Sequence, residues 1–304
     1  MIVLVCPGQG SQTPGFLSPW LEDPANRTLI EQYSDAAGLD LALHGTESDA
    51  DTIRDTRVAQ PLIVAAGLLT LRALSRTGSL SDDVGIAGHS VGEITAAAGA
   101  GVIDELDAMR FVAARATEMA TAAAATPTGM SAVLGGDADA LLARLEELGL
   151  QPANFNGGGQ IVVAGALDAL ADLASGPLPG SRVIPLQVAG AFHTRYMAPA
   201  REALGSAAAA LRPSDPTRPL WTNADGSRVD SGSRFVELLV GQVASPVRWD
   251  LTMEAMQAAG VTGIIELAPA GALTGLARRG LKGIPAVAIK TPDDIQTALD
   301  LLAA

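Results

Sequence analysis

The segment Gly88-His89-Ser90-Val91-Gly92 has the glycine–x–serine–x–glycine spacing of a nucleophile elbow. In such an elbow a serine sits on a sharp strand-to-helix turn with its hydroxyl exposed, ready to attack an acyl carbon. The flanking glycines have a steric reason. Strand and helix approach so closely that a Cβ at either position clashes, and glycine also tolerates unusual backbone angles. The context fits, because a short apolar run (84–88) precedes the serine and Ile94-Thr95-Ala96-Ala97-Ala98 follows it. A second reading uses the same residues. Ser90 and Glu93 have the spacing of a helix capping box, in which the serine oxygen serves only backbone N–H groups of the first turn. Capping does not require the flanking glycines.

A serine hydroxyl is a weak nucleophile and needs a base. The chain has three histidines. His44 lies in a polar, turn-rich stretch and reads as a surface residue. His89 adjoins Ser90 and must point its ring away from it, which suits a structural role. His193, in Val188-Ala189-Gly190-Ala191-Phe192-His193-Thr194, follows a strand and precedes a helix. It is the partner left for Ser90, although a histidine in a loop can equally be structural. A third element is the loop 7–12, Pro7-Gly8-Gln9-Gly10-Ser11-Gln12, directly after the first strand. Its backbone N–H groups would lie at the carboxyl edge of the sheet, where open α/β folds bind ligands. It can supply an oxyanion donor, bind phosphate or be a plain tight turn; no Gly-Lys-Ser/Thr follows to make it a P-loop.

The elements that must position these residues alternate. Strand-like runs at 2–6, 86–88, 131–134, 161–164, 183–188, 219–222, 263–267 and 286–289 are mostly separated by helical patterns. These fall at 26–37, 60–76, 91–100, 105–124, 137–148, 167–174, 201–211, 235–240, 251–259 and 291–302. Alternation of this kind predicts an α/β fold with a mostly parallel sheet. Between Pro127 and Val188 the order changes to a β-α-β-β-α-β-like unit with Gly157-Gly158-Gly159 in a turn, which predicts an inserted ferredoxin-like subdomain. The expected organisation is a discontinuous α/β-hydrolase-like catalytic domain, 1–126 and 189–304, interrupted by the insertion 127–188.

Composition narrows the function. Of 304 residues 48% are hydrophobic but only 3% aromatic, so the core must be aliphatic. The net charge of −13 argues against nucleic acid and anionic membrane surfaces as partners. The uncharged run 58–71 is expected to be too short for a bilayer and contains Pro61. Met1-Ile2-Val3-Leu4-Val5 lacks a basic leader region, and a single cysteine, Cys6, permits neither an internal disulfide nor a metal cluster of cysteines. The expected setting is the cytoplasm, with Cys6 a small buried apolar residue.

At this point a resemblance emerges. Cys6-Pro7-Gly8-Gln9-Gly10-Ser11-Gln12, Gly88-His89-Ser90-Val91-Gly92-Glu93, Ala191-Phe192-His193-Thr194, Gln242-Val243-Ala244-Ser245-Pro246-Val247-Arg248-Trp249 and the segment 266–275 resemble, in order, the motif set of malonyl-CoA:acyl-carrier-protein transacylases. The likeness is to the actinobacterial type of fatty-acid and aromatic-polyketide systems, and it covers nearly the whole chain. It implies Ser90 as the acyl acceptor, His193 as base and acid, and the backbone N–H groups of Gln9 and Val91 as the oxyanion hole. It implies Arg115 as the clamp for the malonyl carboxylate and Gln242 as the residue whose main-chain carbonyl orients the histidine, so that no triad aspartate is expected. Gln60 is implied near the acyl pocket, Asn156 at a substrate-side loop position, and Phe192 as the bulky residue of malonyl-selective members. The sequence departs from the family pattern at Cys6 and Ala116, where phenylalanine and glycine are usual, and at Ala270-Gly271, where Gly-Gly or Gly-Lys is common.

The implied reaction moves malonyl from malonyl-CoA to the phosphopantetheine thiol of acyl carrier protein through a malonyl-serine ester, with no metal or redox cofactor. The implied enzyme is a monomer. The rivals are a serine thioesterase or esterase using the same elbow and a non-catalytic carrier-binding subunit. Hydrolases of this topology place the histidine late, yet none of the 111 residues after His193 is a histidine.

Overall fold

The computed structural model describes residues 1–76, 78 and 80–304. Its ten strands are, in chain order, β1 (Ile2–Cys6), β2 (Gly85–Gly88), β3 (Thr128–Gly135), β4 (Gln151–Gly157), β5 (Gln160–Ala166), β6 (Ser181–Pro185), β7 (Leu220–Trp221), β8 (Val247–Arg248), β9 (Gly263–Glu266) and β10 (Ala286–Ala288). Twelve α-helices alternate with them: α1 (Pro24–Ala37), α2 (Leu41–Thr46), α3 (Thr56–Ser75), α4 (Gly92–Gly99), α5 (Glu105–Ala125), α6 (Ala138–Leu148), α7 (Leu167–Ser175), α8 (Ala198–Ala209), α9 (Gly232–Gln242), α10 (Trp249–Ala258), α11 (Ala272–Gly280) and α12 (Ile295–Ala303).

The strands form two sheets. The first runs β10-β9-β1-β2-β7, and all its pairings are parallel. Strands β1 and β2 are short unbroken apolar runs buried on both faces, and β9 is apolar up to Glu266, whose buried carboxylate accepts from the N–H groups of Leu273 and Thr274. This is the α/β class with a mostly parallel sheet that the alternation predicts. The second sheet runs β6-β3-β5-β4-β8, antiparallel except at β4–β8. Its four long strands follow the connection β3-α6-β4-β5-α7-β6, and Leu141, Leu145, Leu170 and Leu173 of the two helices pack on Val133 and Val163. The glycine run makes the turn from β4 to β5, with Gly157, Gly158 and Gly159 all at positive φ.

Two sequence expectations need correction. The apolar run 58–71 belongs to a helix of 20 residues, α3, which by length and composition alone could cross a membrane. Its start is set by Asp55, whose carboxylate accepts from the Arg57 N–H, earlier than hydrophobic periodicity suggests. Leu62, Val64, Ala65, Ala66 and Leu69 are inaccessible, so α3 is a core helix of this fold. The second correction concerns Asn156, which lies in strand β4 rather than in a loop. Gln151-Pro152-Ala153-Asn154-Phe155-Asn156 has little strand propensity. It pairs because β5 and β8 offer backbone partners on both sides, and the ladder slips at Pro152, which has no N–H to donate.

Candidate active site

The strand-to-helix turn at Ser90 is as tight as the glycine spacing requires. A Cβ on Gly88 would lie 2.1 Å from the Glu93 nitrogen, and one on Gly92 would lie 2.1 Å from the Cys6 carbonyl oxygen. Ser90 itself has φ of +54°, a left-handed conformation that serine adopts rarely. No capping box forms here. Helix α4 has no side-chain cap, and Ser90 Oγ instead meets His193 Nε2 at 2.7 Å.

His193 arrives from the segment between β6 and α8, also at positive φ (+61°), with its backbone N–H bonded to the Val243 carbonyl. Its Nδ1 lies 2.9 Å from the main-chain oxygen of Gln242. A carbonyl can only accept, so Nδ1 carries the proton and Nε2 presents a lone pair to the serine hydroxyl. Burial pushes the imidazole down to about 3, the nearby Arg115 charge adds to this, and the bond to the Gln242 carbonyl opposes it. The ring is therefore neutral at physiological pH, as a base must be.

Arg115 projects from α5 and is 1% exposed. Its Nη1 donates to Gln60 Oε1 at 2.6 Å, and its Nη2 donates to Gln242 Oε1 at 2.8 Å and to Ser90 Oγ at 3.3 Å. No carboxylate pairs with it directly among the described residues. Burial lowers its pKa to about 10, and the Glu93 charge resists that shift. A guanidinium held among neutral acceptors beside a nucleophile is poised for an anion, because an unpaired buried charge is costly.

Ser90 and His193 open on a cavity of about 500 Å³ between the two sheets. Gln9 and Val91 line it close to the serine, and Gln60, Asn156 and Phe192 line it elsewhere. The Gln9 side chain is tied back to the Arg54 carbonyl at 3.0 Å. Asn156 Oδ1 meets His89 Nε2 at 2.9 Å, so the His89 ring serves the cavity wall rather than the serine. Burial lowers the pKa of His89, which favours its neutral form. Arg115 does not itself line the cavity; Ser90 and Gln60 stand in front of it. His44, read as a surface residue, is half-buried and bonds Ser48 Oγ at 2.9 Å, away from the site.

Sequence reasoning missed two members of the site. Glu93 has the spacing of a capping-box acid, but its carboxylate turns inward to accept from the Asn223 N–H at 2.7 Å and from Gln242 Nε2. Burial raises it to about 7 against those hydrogen bonds, which lower it. The available signal was a lone acid in the apolar run 91–98. Asn223, whose Nδ2 donates to the Gly88 carbonyl at 3.0 Å, had no local signal at all.

Comparison with known proteins shows the family. A family model described as acyl transferase domain matches residues 3–296. The malonyl CoA-acyl carrier protein transacylase of Mycobacterium tuberculosis is 52% identical over 302 residues, covering 99% of this chain and 100% of that protein. The crystal structure of the transacylase from M. tuberculosis superposes with a TM-score of 0.96 at 52% identity, over 100% of both chains. A malonyl-transacylase solved in complex with its type II polyketide acyl-carrier protein gives a TM-score of 0.91 at 29% identity, covering 99% of each chain. The chain belongs to the acyl transferase domain family, in its malonyl CoA-acyl carrier protein transacylase branch.

Proposed function

We propose that this enzyme transfers malonyl from malonyl-CoA to the phosphopantetheine thiol of an acyl carrier protein, with Ser90 and His193 as its catalytic pair. The observation that carries the reading is the junction at Ser90 Oγ, where a neutral imidazole at 2.7 Å and a buried guanidinium at 3.3 Å converge. His193 Nε2 takes the serine proton as Oγ attacks the thioester carbonyl, and the Gln9 and Val91 N–H groups receive the oxyanion. CoA leaves as its sulfur regains that proton, giving a malonyl-serine ester. The carrier thiol then passes its proton to Nε2, attacks the ester, and Oγ recovers the proton. Each half-reaction balances without a metal or redox cofactor.

Arg115 binds the free carboxylate of the malonyl group, displacing Gln60, which stands between it and the cavity. Phe192, buried on the cavity wall, limits substitution at the malonyl α-carbon. We treat 127–188 as a ferredoxin-like subdomain inserted into the domain formed by 1–126 and 189–304, a division supported by the β-α-β-β-α-β order of β3 to β6. The enzyme is assigned to the cytoplasm as a monomer.

Intact mass after incubation with malonyl-CoA, with and without holo-carrier, tests the reading. Ser90 should hold malonyl in the absence of carrier and lose it to the carrier when present, and Ser90→Ala should hold none. Release of free malonate in preference to carrier loading would make the enzyme a thioesterase.

A further inference from the structure

Glu93 is a buried carboxyl group in the wall behind the Ser90–His193 pair, and the transfer steps make no use of it. Its Oε1 accepts from the Asn223 backbone N–H at 2.7 Å, and its Oε2 accepts from Gln242 Nε2. The other amide proton of Gln242 goes to the Ser90 carbonyl at 3.0 Å. With both N–H bonds of Nε2 aimed at acceptors, Gln242 Oε1 is left for Arg115 Nη2, which donates to it at 2.8 Å. Turning the amide over would set its oxygen against a carboxylate and a carbonyl, and its NH₂ group against a guanidinium. An amide has two orientations of equal shape, and only its partners choose between them. Glu93 makes that choice. Gln242 also carries the main-chain oxygen that holds His193 Nδ1, so one residue joins the carboxylate, the guanidinium and the imidazole.

The geometry points to Glu93 as a positioning residue for acyl selection: by fixing the Gln242 amide it aims Arg115 at the acyl group on Ser90, favouring thioesters whose acyl chain ends in a carboxylate. This rests on the transfer reading above. Glu93→Gln keeps the shape but reverses the logic. The Asn223 N–H still demands an oxygen, so the new NH₂ group turns toward Gln242. Gln242 must then flip, bringing its own NH₂ group against Arg115.

The test compares kcat/KM for malonyl-CoA and acetyl-CoA, with holo-carrier as acceptor, in wild type, Glu93→Gln and Gln242→Met. The methionine variant removes the bridge and keeps the main-chain carbonyl that His193 needs. In each variant malonyl transfer should fall about tenfold, mainly through KM, as expected for a weakened bond to a charged group. Acetyl transfer makes no use of the guanidinium and should fall less, so the malonyl-to-acetyl ratio should drop several-fold in both variants. A role confined to folding would lower both substrates in proportion and leave their ratio unchanged. An unchanged ratio in whichever variant folds overturns the proposal, provided wild type prefers malonyl. A wild type with no such preference would overturn the transfer reading and this proposal together.

Discussion

Ser90 and His193 both hold backbone conformations that their residue types disfavour, with φ of +54° and +61°. Such conformations persist only where the surroundings over-determine them. Here the Ser90 carbonyl accepts from the Glu93 N–H and from Gln242 Nε2, while the His193 N–H and Nδ1 are held by the Val243 and Gln242 carbonyls. Depressing the His193 pKa links the site to stability. Its native value is about 3 against 6.5 for the free side chain, so the native state binds fewer protons between those values. The contribution is whole above pH 6.5 and is lost as pH falls toward 3. Glu93 acts in the opposite sense: raised from 4.5 to about 7, its contribution is whole below pH 4.5 and is lost as pH rises through 7. The difference between wild type and a variant lacking one of the groups isolates that group's slope. Denaturant unfolding of wild type and His193→Asn should show wild type gaining roughly 3 kcal/mol on the variant between pH 4 and 6.5, at about 1.4 kcal/mol per unit. A pH-independent difference would mean that the imidazole titrates normally.

Arg115 belongs to the same scale. Arg115→Ala should lower kcat/KM for malonyl-CoA by at least about 30-fold, or ~2 kcal/mol, and for acetyl-CoA by much less. Arg115→Lys should recover only part of the loss, because an ammonium lacks the planar fork that pairs with a carboxylate. Equal losses for the two acyl groups would leave Arg115 a purely structural side chain.

Among the elements, the β2–α4 corner sets the position of the nucleophile, and it does so by exclusion. At Gly92 an added Cβ would reach 2.1 Å from the Cys6 carbonyl oxygen of β1, a backbone atom that cannot move without shifting the central strand. Gly92→Ala should therefore destabilise the fold by about 3 kcal/mol, the upper part of the usual range for overpacking. Gly205 on α8 is the contrast, since nothing lies within 4 Å of its added Cβ. Gly205→Ala should stabilise by about 0.5–1 kcal/mol through helix propensity. Urea denaturation of the two variants compares them directly, and equal effects would deny the corner its steric origin.

For the whole molecule, charge sets the terms of association. The chain carries a net charge of −13, so an acidic carrier protein must approach against its field. The cavity mouth offers a local exception in Arg279, which lines it from α11, with Arg278 and Lys282 exposed beside it. None of the three takes part in an ion pair among the described residues. Arg279 also packs on the β4–β5 turn, where a Cβ on Gly158 would come within 2.7 Å of its own Cβ. Arg279→Glu should raise KM for the carrier several-fold and leave KM for malonyl-CoA nearly unchanged. Added salt should weaken wild-type loading more than that of the variant, since attraction between exposed charges is screened within about 10 Å at 0.1 M. A matched rise in both KM values would place the residue in CoA binding instead.

What the sequence determined by itself is what depends on neighbours along the chain. The spacing of the elbow glycines and the apolar strand runs are patterns within a few residues and can be read directly, although the atom that excludes a Cβ at Gly92 is the Cys6 carbonyl oxygen of β1. Alternation of strands and helices follows from the same local patterns and fixes the α/β class. The elbow spacing and the three histidines pointed to Ser90 and His193, and the resemblance added Arg115 and Gln242, all as names with no geometry. Only the tertiary structure decided how they meet, because the bonds that join them span 103 residues from Ser90 to His193, 127 from Arg115 to Gln242 and 130 from Glu93 to Asn223. No local pattern carries such a contact. The inward turn of Glu93, the strand pairing of the polar segment 151–157 and the placement of Arg115 behind Ser90 and Gln60 each depend on partners that folding brings from elsewhere. A buried polar group takes its role from the donors and acceptors around it, and those are fixed only when the chain is packed.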